Sequence, residues 1–407
     1  MRRGRFLGSL AAFGCAAAAA RSQTLPPQVV ELGGDVFLRD HIHELAGKRV
    51  GIITNQTGVT SGGASIVDAI QENRGLTLHA LYAPEHGLRG DRPAGAFVAS
   101  YVDEATKLPV YSLYGPDRHP SAEMLAGIDV LLFDIQDVGS RTYTFISTMA
   151  YAMQSAAAHG IEFWVLDRPN PVGGVAIEGP VLDPRFASFI GLYPIPMRHG
   201  MTVGELAQLF NQHFGIGAKL RVIPMNGWRR AMIWPQTGLR WIRTSPNVPT
   251  WETTFVYLCT GLIDDAGVNN GVGTETPFFF AGAPELDDRG LAQRLSARRL
   301  PGITFHPSLW SPSRGGNAGR SFSGVALLLD DPQAFVPVRT SVEILVAVRD
   351  LQRSTLRVEA APLDRDWGTD ALRLQLIAGK DADEIVGSWQ HGVDDFVSLR
   401  ERFLLYS

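Results

Sequence analysis

A doubly wound α/β domain followed by a smaller α+β domain is the fold class the sequence predicts, on three observations. β-rich apolar runs recur from residue 49 to residue 167. They are apolar throughout rather than alternating, and helix-like stretches separate them. Strands that are apolar on both faces belong to parallel sheets covered by helices on either side.

The chain opens on "MRRGRFLGSLAAFGCAAAAARSQ", with three arginines, an apolar run from Phe6 to Ala20 and a polar exit. A positive start, a short apolar core and small residues at Ala18 and Ala20 predict a secretory signal peptide over residues 1–20, cleaved after Ala20. The run is too short and alanine-rich for a membrane span, so no transmembrane segment is expected in the mature chain. Arg2 and Arg3 resemble a twin-arginine signal, but Phe6 sits one place late. Lipid anchoring at Cys15 is disfavoured by Phe13 before Gly14. The expectation is export, to the periplasm or beyond.

The predicted strands are "RVGIIT" (49–54), "LTLHALYA" (76–83), "LPVYSLY" (108–114), "DVLLFDI" (129–135) and "IEFWVLD" (161–167). The helical stretches between them are "SIVDAIQEN" (65–73), "SAEMLAGI" (121–128) and "TYTFISTMAYAMQSAAAHG" (142–160). "MTVGELAQLFNQHFG" (201–215) reads as a further helix, with Thr202 as N-cap and Glu205 three residues on. "KLRVIPMNGW" (219–228) returns as a strand. Past residue 230 the chain becomes polar and rich in Pro and Gly, then mixed: "SFSGVALLLDD" (321–331) as a strand and "RTSVEILVAVRDLQR" (339–353) as an amphipathic helix. The predicted domains are 24–230 and 231–407, the second closing a cleft over the first.

The length suits two domains with real cores. Thirty-seven basic residues are scattered among 41 acidic ones, for a net charge of −4, which excludes nucleic acid as a partner. Cleavage would remove three positive charges (Arg2, Arg3, Arg5), taking the charge to −7, and would leave Cys259 alone. A mature chain with one cysteine has no internal disulfide, and Cys259 reads as a small buried hydrophobe.

The strand ends carry the functional argument. "IIT" exits into Asn55-Gln56, "LYA" into Pro84-Glu85-His86 with Arg89 beyond, "LLFDI" into Gln136-Asp137 with Arg141 beyond, and "WVLD", ending in Asp167, into Arg168-Pro169-Asn170. In an open parallel sheet these exits share the edge where ligands bind. Turn chemistry accounts for Asn, Asp, Gly and Pro, but not for Glu, His, Gln and Arg in four exits. No glycine-rich phosphate cradle and no G-x-S-x-G are present, so a nucleotide cofactor and a hydrolase serine are not expected. His86, Asp134, Asp137 and His199 lack metal-ligand spacing, and no metal or other cofactor is expected.

Carboxylate chemistry remains. Glu85, desolvated at the base of a cleft, would serve as general acid. His86 would orient it or share in catalysis. Glu178, Asp137 and Asp167 are candidates for a second carboxylate, although Arg141 and Arg168 offer the two aspartates structural partners. Paired carboxylates around a cleft are the equipment of glycoside hydrolysis. Tyr143, Tyr193 and Trp241 could supply walls on which a sugar stacks.

Seven segments in order, "GIITNQTGV", "LYAPEHGLRG", "FDIQDVGSRTYTFISTM", "LDRPNPVGG", "EGPVLD", "PIPMRHGMTVGELA" and "SPNVPT", resemble the NamZ-type exo-β-N-acetylmuramidases. The resemblance covers nearly all of the mature chain and is strongest over residues 49–250. It implies a Rossmann-like catalytic domain, a C-terminal auxiliary domain, and metal-free release of N-acetylmuramic acid from non-reducing ends of peptidoglycan-derived saccharides or muropeptides. By motif it implies Glu85 as the catalytic carboxylate and Glu178 as a second acidic residue. Asn247 in "SPNVPT" joins the substrate-binding candidates. The lactyl carboxylate of muramic acid suits a guanidinium, for which Arg89, Arg141, Arg168 and Arg198, beside His199, are candidates. The segment "DDAGVNNGVGT" (264–274) departs from the pattern, with Asp264, Asn270 and Val272 where Glu, Glu and Arg are expected. The competing reading is an exported sugar- or muropeptide-binding protein without catalysis; a different hydrolase is a third.

Overall fold

A computed structural model describes residues 29–73, 76–90, 99–115, 118–358 and 360–407. The expected signal segment, its cleavage site and Cys15 lie outside the described residues.

A short helix, α1 (Gly33–Val36), precedes β1 (Arg49–Thr54), and α2 (Ile66–Glu72) leads to β2 (Thr77–Ala83). Then come β3 (Tyr101–Val102), β4 (Pro109–Ser112), β5 (Val130–Asp134), α3 (Phe145–Ala158), β6 (Glu162–Leu166), α4 (Val203–Gln212) and β7 (Lys219–Ile223). These seven strands form one sheet in the order β3-β4-β2-β1-β5-β6-β7. All neighbours are parallel except the short edge strand β3, which runs antiparallel to β4. The chain therefore builds outward from β1 in one direction and then in the other, and the order reverses between β1 and β5. Val50, Ile52, Ile53 and every residue of β5 are buried, as apolar-throughout strands require. Burying each such side chain contributes about 1.5–3 kcal/mol.

One face of the sheet packs on α3 and α4, the other on α1 and α2. Thr202 Oγ1 accepts from the Glu205 amide and Glu205 returns the bond to the Thr202 amide, which is the capping box of α4. Two predicted elements differ. Residues 121–128 form turns rather than a helix, because Pro120 on one side and Gly127 at φ 78° on the other leave no room for one. β7 stops at Ile223, because Pro224 has no N–H to continue the ladder.

Beyond the first sheet lie α5 (Glu252–Thr260), β8 (Phe280–Ala283), α6 (Asp288–Ala297), β9 (Ile303–Trp310), β10 (Phe322–Leu329) and α7 (Pro337–Leu351), then four shorter helices. The three strands make an antiparallel sheet, β8-β10-β9, over a core that also holds α5, α6 and α7. Cys259 is buried in that core, and burial raises its thiol well above the ordinary range. No helix among the described residues is long and apolar enough to cross a membrane.

Candidate active site

The chain leaves β2 through a tight reversal. The Gly87 amide donates to the Pro84 carbonyl (3.0 Å), and both His86 (φ 71°) and Gly87 (φ 76°) are left-handed. A buried, non-glycine residue in that region is strained, and such strain collects at functional sites. The reversal presents Glu85 to a cleft of about 430 Å³ above the sheet edge. Thr144, just ahead of α3, donates its hydroxyl to Glu85 Oε2 at 2.8 Å. Tyr114, at the exit of β4, lines the same cleft. Burial first, and then the Glu85 carboxylate, push the Tyr114 hydroxyl above its ordinary value.

Aromatic residues make the walls. Tyr143 stands edge-on to Phe145 (4.9 Å between centroids) and to Tyr257 (5.7 Å), and its hydroxyl donates to Thr244 Oγ1 at 2.8 Å. The Tyr257 hydroxyl lies 3.2 Å from Thr142 Oγ1, and burial pushes it up to about 12. Phe189 stacks on Tyr151 at 5.8 Å. Ser245, Asn247, Phe278 and Arg365 close the cleft from the C-terminal half of the chain. Glu85 is the only carboxylate among the described residues that line it.

Of the sequence-predicted site residues, Glu85, His86, Tyr143 and Asn247 meet here. Asn55, Gln56 and Arg89 line a neighbouring hollow of about 220 Å³, and Gln136 and Arg168 a third. The four strand exits share one sheet edge but not one cavity. Gln56 Nε2 donates to the Arg243 carbonyl (2.7 Å), and a Cβ on Gly90 would meet the same amide at 2.1 Å. That side chain therefore fills the space between the loop bearing Glu85 and the segment bearing Ser245. Asn55 Oδ1 caps its own turn by accepting from the Thr57 amide and hydroxyl.

The structure corrects several assignments. Arg168 is bidentate to buried Asp134 (2.5 and 2.8 Å) and cannot reach a ligand in the cleft. Asp167 accepts from the Gly204 amide (2.8 Å), the Thr202 hydroxyl (2.8 Å) and the Tyr406 hydroxyl (2.6 Å), which fixes the head of α4; burial raises it to about 6. Asn170 bonds the Met201 carbonyl. Glu178 is bound to Arg198 (2.7 Å) and the Val338 amide (3.1 Å), a buried pair away from the cleft. Arg198 is thereby occupied. Arg141 is buried, donating to the Asp366 carbonyl at 3.2 Å. Arg89 is exposed and paired with Asp103 at 2.9 Å.

Gln136 bonds the carbonyls of Asp137 and Pro169 (2.8 Å each). Asp137 lies buried beneath the edge. Its Oδ2 accepts from Gly139, its Oδ1 has no partner, and burial pushes it up to about 7. His199 Nδ1 accepts from the Met201 amide, so Nε2 carries the hydrogen, 3.9 Å from Asp137. Burial, and then Arg400, lower His199 to about 3 and keep it neutral.

Sequence reasoning missed Tyr114, Arg118, Thr144 and Tyr257. Thr144 sits in the stretch read as a helix over 142–160, and Tyr257 lies in α5, a stretch to which the sequence analysis assigns no element. Arg118 follows "GPD", a turn without a motif.

The comparisons agree with one another. The family models described as exo-β-N-acetylmuramidase NamZ, N-terminal and C-terminal, match residues 50–252 and 255–406. A peptidoglycan β-N-acetylmuramidase NamZ of Bacillus subtilis (strain 168) is 44% identical over 98% of each chain. Two crystal structures of DUF1343 family proteins from Bacteroides fragilis NCTC 9343 superpose with TM-scores of 0.87 and 0.77. The first is 36% identical, covering 94% of this chain and all of its own; the second is 28% identical, covering 93% and 99%.

Proposed function

Because the chain belongs to the exo-β-N-acetylmuramidase NamZ family, we propose that it is an exo-acting glycoside hydrolase releasing N-acetylmuramic acid from the non-reducing ends of peptidoglycan fragments. It is a glycosidase and not a sugar-binding protein without catalysis. Glu85 is its acid and base. The observation that carries this assignment is the position of Glu85, half-buried at the base of an aromatic-walled cleft with Thr144 fixing one carboxylate oxygen.

In the protonated form Glu85 gives its proton to the glycosidic oxygen as the bond to the anomeric carbon breaks. As a carboxylate it then takes a proton from the incoming water. A carboxylate nucleophile would stand about 5 Å from the acid, and no second carboxylate lines the cleft among the described residues. The substrate's own 2-acetamido oxygen therefore assists at the anomeric carbon. Residues 231–407 close the cleft over residues 24–230, a division supported by Ser245, Asn247, Tyr257 and Phe278 facing Glu85. Export with cleavage after Ala20 belongs to the same proposal. N-terminal sequencing of the secreted protein tests it, and a mature chain that begins at Met1 refutes it.

Hydrolysis of a chromogenic N-acetylmuramic acid glycoside by the parent and by Glu85→Gln decides the catalytic assignment. Loss of turnover in the variant, with folding intact, is expected. Turnover close to the parent's rules Glu85 out.

A further inference from the structure

Resting on the muramidase reading, the question is which group recognises the feature that separates muramic acid from N-acetylglucosamine, an anionic lactyl arm on C3. The arginines suggested by the strand-exit motifs are spent or misplaced. Arg168 and Arg198 are locked to Asp134 and Glu178, Arg141 is buried against the Asp366 carbonyl, and Arg89 lies outside the cleft. Two other guanidinium groups line the cavity that holds Glu85, those of Arg118 and Arg365. Arg365 is neutralised by Asp366 (2.9 Å) and Asp265 (3.2 Å).

Arg118 differs. Its Cζ lies 4.0 Å from the centroid of Phe189 and 5.5 Å from that of Tyr114, so the guanidinium lies against two aromatic rings. No carboxylate among the described residues forms an ion pair with it. A cation–π contact uses none of a guanidinium's N–H donors as hydrogen bonds to oxygen, and a guanidinium can bind a carboxylate through two parallel bonds. Tyr114 lies between the two ends of the site, with its ring beside Arg118 and its hydroxyl influenced by the Glu85 carboxylate. Glu85 and Arg118 line the same cleft.

We infer that Arg118 holds the lactyl carboxylate of the muramic acid ring and is the residue by which the cleft prefers muramic acid to N-acetylglucosamine. Among the described residues that line the cleft, no other guanidinium is without a carboxylate partner. The role is one of binding and specificity, not of bond breaking.

The test measures kcat/KM on chromogenic glycosides of N-acetylmuramic acid, its lactyl methyl ester and N-acetylglucosamine. Parent, Arg118→Met, Arg118→Lys, Arg365→Met and Arg89→Met proteins are compared, with melting temperatures recorded for each. The parent's preference for the free acid over the ester should be about 100-fold, the worth of a charge-assisted bond pair. Arg118→Met should erase that preference, Arg118→Lys should retain only part of it, and Arg89→Met should keep it whole. Equal losses on all three substrates in Arg118→Met overturn the inference, as does an unchanged preference, or its collapse in Arg365→Met instead. The ester arm uses the parent alone and so stands even if a variant fails to fold. A parent that cleaves neither sugar overturns the hydrolase reading itself, an outcome visible before any variant is made.

Discussion

Thr144 Oγ1 donates to Glu85 Oε2 at 2.8 Å, joining the residue that leaves β2 to the residue that starts α3. The two are 59 positions apart in sequence, and the bond exists because β2 and β5 flank β1 and point the same way. That bond fixes one oxygen of the Glu85 carboxylate. Replacing Thr144 by Val should lower kcat about 10-fold, the cost of a loosely held acid, with little change in KM. Steady-state kinetics on the chromogenic muramide checks this.

On the proposed assignment, Glu85→Gln removes the proton donor without changing shape. We expect kcat to fall by about 10³-fold, within the range for loss of a general acid, and the melting temperature to move by about 1 °C or less. Differential scanning calorimetry beside the kinetics separates loss of chemistry from loss of fold.

Glu178 belongs to the fold. Removing it as Glu178→Ala leaves Arg198 buried without its carboxylate, a loss of about 3–5 kcal/mol. Urea unfolding should show that loss, while kcat per folded molecule stays near the parent's. A selective fall in kcat at unchanged stability would return Glu178 to the catalytic machinery.

Asp137 and His199 have opposite pH signatures. Burial raises Asp137 to about 7 in the fold from 3.8, so the folded state holds a proton that the unfolded chain releases, and stability from this group falls as pH rises from about 4 to 7. Burial lowers His199 to about 3 from 6.5, so its contribution falls as pH drops from about 6.5 to 3. Relative to the parent, Asp137→Asn should gain stability as pH rises from about 4 to 7, and His199→Gln should gain as pH falls through the lower window. Each gain should exceed about 1 kcal/mol, since each shift exceeds one unit. Melting curves from pH 4 to 8 check both signs.

Assistance by the acetamido oxygen predicts that a trifluoroacetamido muramide, whose carbonyl is a poorer nucleophile, is cleaved at least about 10-fold more slowly at unchanged leaving group. Equal rates on the two substrates would assign the anomeric side to another group.

The sheet was legible because its strands are apolar on both faces, a pattern few other structures allow, and the place of Glu85 in a cleft because its strand exit is too polar for an ordinary turn. Glu178 misled for a physical reason: a motif names a residue but not the buried arginine that consumes it. The same holds for Arg168 and Asp167, whose partners Asp134, Thr202 and Tyr406 come from other elements. Arg118 was invisible because its role depends on two rings brought beside it by folding. The last helices were missed because their short amphipathic stretches carry little periodic signal.

Gln56 has a mechanical consequence. Wedged between Gly90 and the carbonyl of Arg243, its amide acts as a spacer that ties both jaws of the enzyme to the rigid end of the central strand. The mouth is thus set at a fixed gauge by the scaffold itself. Substrate enters an aperture already cut to size, and shortening that one side chain would let the jaws drift.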